Sequence, residues 1–283
     1  MTTQFDKGTL FRSLHQRERA FILPNPWDPG TARLLAGLGF EALATTSAGF
    51  AFSHGKLDGA MDRDTVMAHA AEIVAATGLP VSADLENGFG TRPETVAETI
   101  RLSAAQGLVG GSIEDASRDE SSPILPIELA KERIEAAAEA ARALHYPFTL
   151  TARAENYLYG KPDLDDTVRR LQAFQEAGAD VLYAPGLVSA DDIETVVRSV
   201  DRPVNVLCGM PGMRLDVDQL SQIGVKRIST GSALARSALG AFLMSAREIA
   251  TRGTFGFVEE AIANSRDVAP LLKSWVNLAG EKR

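Results

Sequence analysis

Two carboxylates stand two residues apart in the stretch VSADLENGFG, Val81 to Gly90, where an apolar run ends in Asp84 and Glu86. Strand alternation places both on one face. Other apolar runs end in the same way: Glu114 and Asp115 close one, Arg153 and Glu155 another, and Asp58 lies in the loop that follows a third. Carboxylates converging on one concavity repel each other unless a cation sits among them, and a hard divalent ion is the simplest such cation. Oxygen ligands with no histidine or thiolate cluster beside them fit Mg²⁺ or Mn²⁺ rather than zinc. Mg²⁺ keeps several waters, so only one or two carboxylates need touch it. The alternative is structural: Asp84 and Glu86 form salt bridges or cap the helix that starts near Thr91 to Glu94. Gly88 and Gly90 allow a tight turn under either reading. Arg153 is open to two readings as well, a fork that holds a planar carboxylate or a buried partner of Glu155 or Glu114.

Bulk properties narrow the field of function. The 283 residues include 29 Lys plus Arg, 37 Asp plus Glu and 45% apolar side chains, enough for a large core. A net charge of -8 removes the electrostatic basis for binding nucleic acid or an anionic membrane. The polar start carries no signal peptide, and nowhere do about 20 apolar residues run together. One cysteine, Cys208, allows neither an internal disulfide nor a cysteine-based metal cage. A cytoplasmic protein is expected.

The elements that position these residues follow from periodicity. Short apolar runs at 21–27, 41–47, 80–86, 108–115, 148–155, 180–185, 203–209 and 227–233 read as strands. Helical spacing occupies the intervals, as at 65–76, 94–105 and 127–144, with Pro93 near one helix start and Gly107 and Gly178 just past helix ends. Strands apolar on both faces, each separated by a helix, must pair in parallel through right-handed crossovers. Eight such units predict a (β/α)8 TIM barrel over 1–283 as one domain, with extra helices at 4–19 and in the tail 254–278. An open doubly wound sheet is disfavoured, because NPWDPG stands where its glycine-rich phosphate turn would be. In a barrel, chemistry sits at the carboxyl ends of the strands, where these acids cluster.

The motifs ADLENGFG, IED at 113–115, TARAE at 151–155 and TTSAGFAFSHGKLD at 45–58 together resemble the isocitrate lyase and phosphoenolpyruvate mutase superfamily, in order and spacing, from about Pro24 to Leu234. The resemblance implies a Mg²⁺-dependent barrel that makes or breaks a C–C or P–C bond next to a 2-oxo acid or its enolate. It implies Asp84 as the direct metal ligand, with Glu86, Glu114 and Asp58 holding the ion largely through its waters. Thr46, Ser47 and Ala48 match the turn that holds the substrate carboxylate, Asn205 a position facing the ligand, and Arg153 the arginine that neutralises developing charge. A homotetramer is implied too, with a C-terminal helix exchanged between subunits; the tail from Phe255 to Leu278 would serve. A Lewis-acid ion on the enolate oxygen stabilises the charge left when a bond alpha to a carboxylate breaks.

The segment ASRDESSPILP, 116–126, departs from the family pattern. It has no cysteine or histidine where the lyases carry their acid, and the lysine and asparagine of the mutase lid fall on Glu120 and Ser122. Neither established catalytic set of the family is therefore present in this segment. The expected reaction is C–C cleavage of a small 2-oxo or 2-hydroxy acid. The alternatives are a P–C hydrolase or mutase and a member that binds oxo acids with reduced turnover. A sugar-phosphate enzyme using the turn Gly231, Ser232 and Ala233 would leave the acid cluster unexplained. His54, the one histidine near the mouth, reads as an acid or base or as a surface residue, and Cys208 as a buried hydrophobe or a nucleophile.

Overall fold

A computed structural model describes residues 2–280, with the side chains of Ser274 and of 276–280 outside the described set. Met1 and 281–283 of the expected 1–283 domain, and the last side chains of the expected exchange segment, therefore lie beyond the described residues. Eight strands form one parallel sheet: β1 (Phe21–Leu23), β2 (Leu43–Ala44), β3 (Val81–Asp84), β4 (Gly110–Glu114), β5 (Thr149–Arg153), β6 (Val181–Tyr183), β7 (Val204–Leu207) and β8 (Arg227–Ser229). Pairing runs β1-β8-β7-β6-β5-β4-β3-β2. The two end strands meet through Ala44 N–H, which donates to Pro24 C=O at 3.1 Å, so the sheet curls into a nearly closed (β/α)8 barrel.

The strands are shorter than their apolar runs for local reasons. Pro24 and Pro26 have no N–H to give the ladder after Leu23. Gly231 takes φ 52°, which ends β8 in a turn. Around the barrel stand α2 (Pro29–Gly37), α3 (Ser47–Ser53), α4 (Arg63–Ala76), α5 (Pro93–Ala105), α6 (Ile127–Arg142), α7 (Leu164–Glu176), α8 (Ala190–Ser199), α9 (Val217–Ile223) and α10 (Ala233–Arg252), preceded by α1 (Gln4–Leu14). Capping explains many starts: Asp28, Asp62, Asp163, Ser189 and Asp216 each accept an N–H from the first turn of the helix they precede.

The strands differ from the expectation of two apolar faces. Outward residues such as Ile113, Leu150, Leu182, Val206 and Ile228 are buried in one core beneath the helices. Burying such a side chain contributes roughly 1.5–3 kcal/mol. Inward positions are largely polar: Ser82, Ser112, Thr149, Thr151, Asn205, Arg227 and Ser229 are all buried. Only the amino end is apolar, where α1 inserts Phe11 and Leu14 beside Phe21, Leu23 and Val109. That plug leaves a polar barrel interior open at the other end.

The chain ends in α11 (Val258–Ser265) and α12 (Val268–Gly280). Here α12 lies against α2 of its own chain, with Leu271 over Gly37. Phe242, Met244, Phe255 and Ile262 are each more than 60% exposed, so α10, α11 and the turn between them present apolar side chains that nothing among the described residues covers. Among the described residues no helix is long and apolar enough to cross a membrane.

Candidate active site

Arg153 stands at the end of β5 and joins three strand ends. Its Nη1 donates to Asp84 Oδ1 at 2.9 Å, Nη2 lies 3.3 Å from Glu114 Oε2, and Nε donates to Glu155 Oε1 at 2.8 Å. Burial works against its charge, but Glu155, Glu114 and Asp84 hold the guanidinium protonated well above its ordinary range. The guanidinium also lies over the Tyr183 ring, 5.2 Å from the centroid. The salt-bridge reading of Arg153 therefore holds in this structure, and its bonds leave the same fork at the wall of a cavity.

That cavity has two levels. An inner chamber of about 170 Å³ lies within the barrel end and is lined by Thr46, Ser47, Ala48, Asp84, Arg153, Asn205 and others. An outer vestibule of about 750 Å³ lies under the segment 116–126 and is walled by Glu86, Glu114, Arg118, Asp119 and Glu120. Ser47, Asp58, Arg153 and Leu158 border both, so they mark the passage between them. All nine residues expected from sequence thus line this connected space.

Burial and crowding raise the acids around it. Glu86 is pushed up to about 7, first by burial and then by Asp84, against the opposing charge of Arg118. Glu114 is also raised, chiefly by burial, with Arg153 opposing. Asp58 sits on an exposed loop with its carboxyl at the passage; loss of solvent there and the neighbouring Asp84 raise it. Five carboxylates, Asp58, Asp84, Glu86, Glu114 and Glu155, share the rim with two guanidiniums, Arg118 and Arg153. Among the described residues no three His, Cys, Asp or Glu side chains already stand as a ready ligand set for a metal. The all-oxygen donors and surplus negative charge fit a hard cation that keeps most of its waters.

The loops that hold these acids depend on residues that sequence reasoning missed. Arg133 of α6 is 1% exposed; it donates to Glu114 C=O at 3.1 Å, to Gly90 C=O at 3.3 Å and to Asn87 C=O, and so ties the β3 loop to the end of β4. Arg170 of α7 pairs with Asp115 at 3.1 Å, and Asp115 in turn accepts Glu155 N–H at 2.8 Å. Asp115 is thus a strut below the rim. Nothing in the sequence marks these partners, since they lie 19 to 55 residues apart on different elements.

In the segment 116–126, Ala116 bridges Ile124 in antiparallel fashion and Ser117 N–H donates to Pro123 C=O at 2.8 Å, forming a small flap. From it Arg118 reaches Glu86 in an ion pair. His54 is an exposed helix cap bonded to Ser53 and Phe50, away from both cavities. Cys208 packs against the core and burial pushes its thiol up, as expected of a small hydrophobe. Trp27 and Asp28 serve locally: Trp27 C=O bonds His69 and Asp28 caps α2. At the β8 turn, Asn25 Oδ1 already accepts the N–H groups of Thr230 and Gly231, which a phosphate there would need.

Fold and site together define a barrel enzyme of one superfamily. A family model described as phosphoenolpyruvate phosphomutase matches residues 11–250, and the chain belongs to the isocitrate lyase/phosphoenolpyruvate mutase superfamily. A crystal structure from Burkholderia cenocepacia J2315, provisionally described as a lyase/mutase, is 59% identical with a TM-score of 0.91, covering 95% of this chain and 96% of that one. The uncharacterized protein Rv1998c of Mycobacterium tuberculosis H37Rv is 31% identical over 242 residues, 84% of this chain and 88% of its own. Oxaloacetate decarboxylase of Pseudomonas aeruginosa PAO1 is 27% identical over 247 residues, covering 84% of each.

Proposed function

We propose that this chain is a Mg²⁺-dependent lyase that acts on a small 2-oxo or 2-hydroxy carboxylic acid and cleaves a C–C bond alpha to a carboxylate, leaving an enolate. The observation that carries the reading is the crowded rim: four carboxyls there are raised by burial and by their neighbours, around a chamber entered past Arg153. Asp84 would hold Mg²⁺ directly, with Glu86, Glu114 and Asp58 taking its waters; Mn²⁺ has the same donor preference. Bound there, the ion would supply Lewis-acid stabilisation of an enolate.

The protein's own groups orient and stabilise. Thr46, Ser47 and Ala48 border the chamber at the start of α3, where Ser47 N–H donates to Asp84 Oδ2 at 3.3 Å and a substrate carboxylate would compete with that acid for the first-turn N–H groups. Arg153 is held rigid by three acids, so its charge faces the chamber with little reorganisation when negative charge develops. The flap 116–126 covers the vestibule and would limit water. It offers no thiol or imidazole. A cleavage that releases neutral CO₂ and lets the enolate take its proton from water needs neither, and the likeness to oxaloacetate decarboxylase supports that subclass.

The same absence favours a second reading, an oxo-acid-binding member with little turnover. Product analysis with oxaloacetate, 2-methylisocitrate and phosphonopyruvate, in Mg²⁺ and in EDTA, decides among these readings. Metal-dependent C–C cleavage supports the lyase, P–C cleavage of phosphonopyruvate supports the hydrolase or mutase alternative, and calorimetric binding without product supports the binding protein. Turnover that survives Asp84→Ala contradicts the mechanism.

A further inference from the structure

The inner chamber ends on a buried arginine without a counter-ion. Arg227 opens β8, is 4% exposed and lines the chamber floor. Its Nε donates to Asn205 Oδ1 at 2.9 Å and its Nη1 to Thr151 Oγ1 at 3.0 Å, while Asn205 Nδ2 donates to Ser229 Oγ at 3.0 Å. Among the described residues no carboxylate forms an ion pair with it. Every other deeply buried arginine of the rim has acids or several carbonyls: Arg153 has three acids, Arg170 has Asp115 and Asp166, Arg133 has three loop carbonyls. A buried cation is costly unless something anionic meets it.

The groups near Arg227 do not provide that charge. Tyr183 is pushed up to about 12, mainly by burial, so its phenol stays neutral. His15, below the floor, is driven down to about 3 by burial and by Arg227 itself. Burial above all, with Tyr183 opposing and Arg153 adding its like charge across the chamber, lowers Arg227 to about 10. Thr151, which Arg227 touches, precedes Arg153 by two residues on β5, an offset of about 6.6 Å along the strand. The two guanidiniums therefore bound the chamber at its top and bottom.

We propose that Arg227, with Asn205 and Ser229 setting its orientation, is an anion subsite that receives a carboxylate at the chamber floor. This deepens the lyase reading and rests on it for one point: the substrate is a short dicarboxylic acid, one end at the Ser47 turn and the other on Arg227. The subsite itself, as a place for a carboxylate or a free inorganic anion, does not depend on turnover. An anion between the two arginines lowers their mutual repulsion and satisfies the floor, whereas a neutral side chain at that end of the substrate leaves the buried cation unpaired. Selectivity for diacids over monoacids follows.

The test uses the full chain in EDTA, so that metal and turnover play no part. Calorimetry compares succinate with acetate in the wild type, in Arg227→Met and in Arg227→Lys. Crystals of the wild type are soaked separately in succinate and in bromide. The expected result is succinate binding that weakens about tenfold or more in Arg227→Met and recovers in part in Arg227→Lys. Density for succinate at Arg227 without a bromide peak assigns the site to the substrate's own carboxylate; a bromide anomalous peak there, with bromide competing against succinate, assigns it to small anions generally. Equal succinate affinity in a folded Arg227→Met protein, or wild-type crystals showing only water at Arg227, overturns the proposal. Absence of lyase activity with every acid leaves these outcomes readable.

Discussion

Arg118 and Glu86, 32 residues apart, form an ion pair although both hold left-handed backbone, φ 65° and 49°. Non-glycine residues rarely adopt that region, and such strain persists only where surrounding contacts over-determine it. The pair ties the flap to the rim. It also places a cation beside an acid that burial and Asp84 have raised.

Removing that cation should loosen the flap. Arg118→Ala is expected to speed amide exchange and proteolytic cutting within 116–126 while leaving the barrel strands protected. Hydrogen exchange read by mass spectrometry checks it. Unchanged protection of the flap would show that the Ala116–Ile124 bridge alone holds it.

Metal binding should release protons near neutral pH. Glu86 is raised from 4.5 to about 7, so in metal-free protein its favourable contribution to stability is complete below pH 4.5 and is lost as pH rises through about 7. A divalent ion reverses the preference by favouring the carboxylate. Mg²⁺ affinity should therefore climb with pH up to about 7 and then level off, with Glu86→Gln removing most of the climb. Calorimetry in buffers of different ionisation heat measures the protons released.

His15 should shape the acid limb of stability in the opposite direction. Its imidazole is driven from 6.5 down to about 3, so the unfolded chain binds a proton there that the folded chain refuses. Stability from this source is complete above pH 6.5 and falls as pH drops toward 3, by up to about 1.4 kcal/mol per unit. His15→Phe should flatten urea-midpoint curves in that window. It also removes Nε2, which has no hydrogen-bond partner among the described residues.

Arg133→Met should destabilise the fold by about 2–4 kcal/mol, because the loop carbonyls of Asn87, Gly90 and Glu114 lose a charged donor. Thermal unfolding gives the size of the loss. If the loop only rests on Arg133, Mg²⁺ affinity will stay near wild type; if Arg133 positions Glu86 and Glu114, the affinity falls with it.

The superfamily resemblance implies a homotetramer, which we propose for this chain, with the exposed apolar side chains of α10 and α11 as the surface it would use. Light scattering should give about four times the chain mass. Phe242→Asp together with Ile262→Asp should lower that mass.

The barrel was legible because apolar runs alternate with helical spacing eight times, and capping signals such as Pro93 fall at real helix starts. The acids at strand ends were legible too, since the barrel rule places Asp84, Glu114 and Arg153 at one mouth; Glu86 reaches the same mouth from a left-handed turn past the end of β3, not by strand alternation. What escaped were side-chain partners between distant elements. Arg133, Arg170 and Arg227 sit in segments that read as ordinary helix or strand, and only the closed barrel brings them to their carbonyls, acids or chamber floor. The polar inner face escaped for a similar reason: residues such as Thr151 and Ser229 look unremarkable in short runs until the alternate, outward positions are seen to carry the core.

The central claim is that the rim acids share one divalent ion. Wild-type crystals soaked in Mn²⁺ and measured at the manganese edge test it most directly. The account predicts one anomalous peak within bonding distance of Asp84, with Glu86, Glu114 and Asp58 around it. Diffraction with no peak among these residues, from crystals soaked at saturating Mn²⁺, would contradict it.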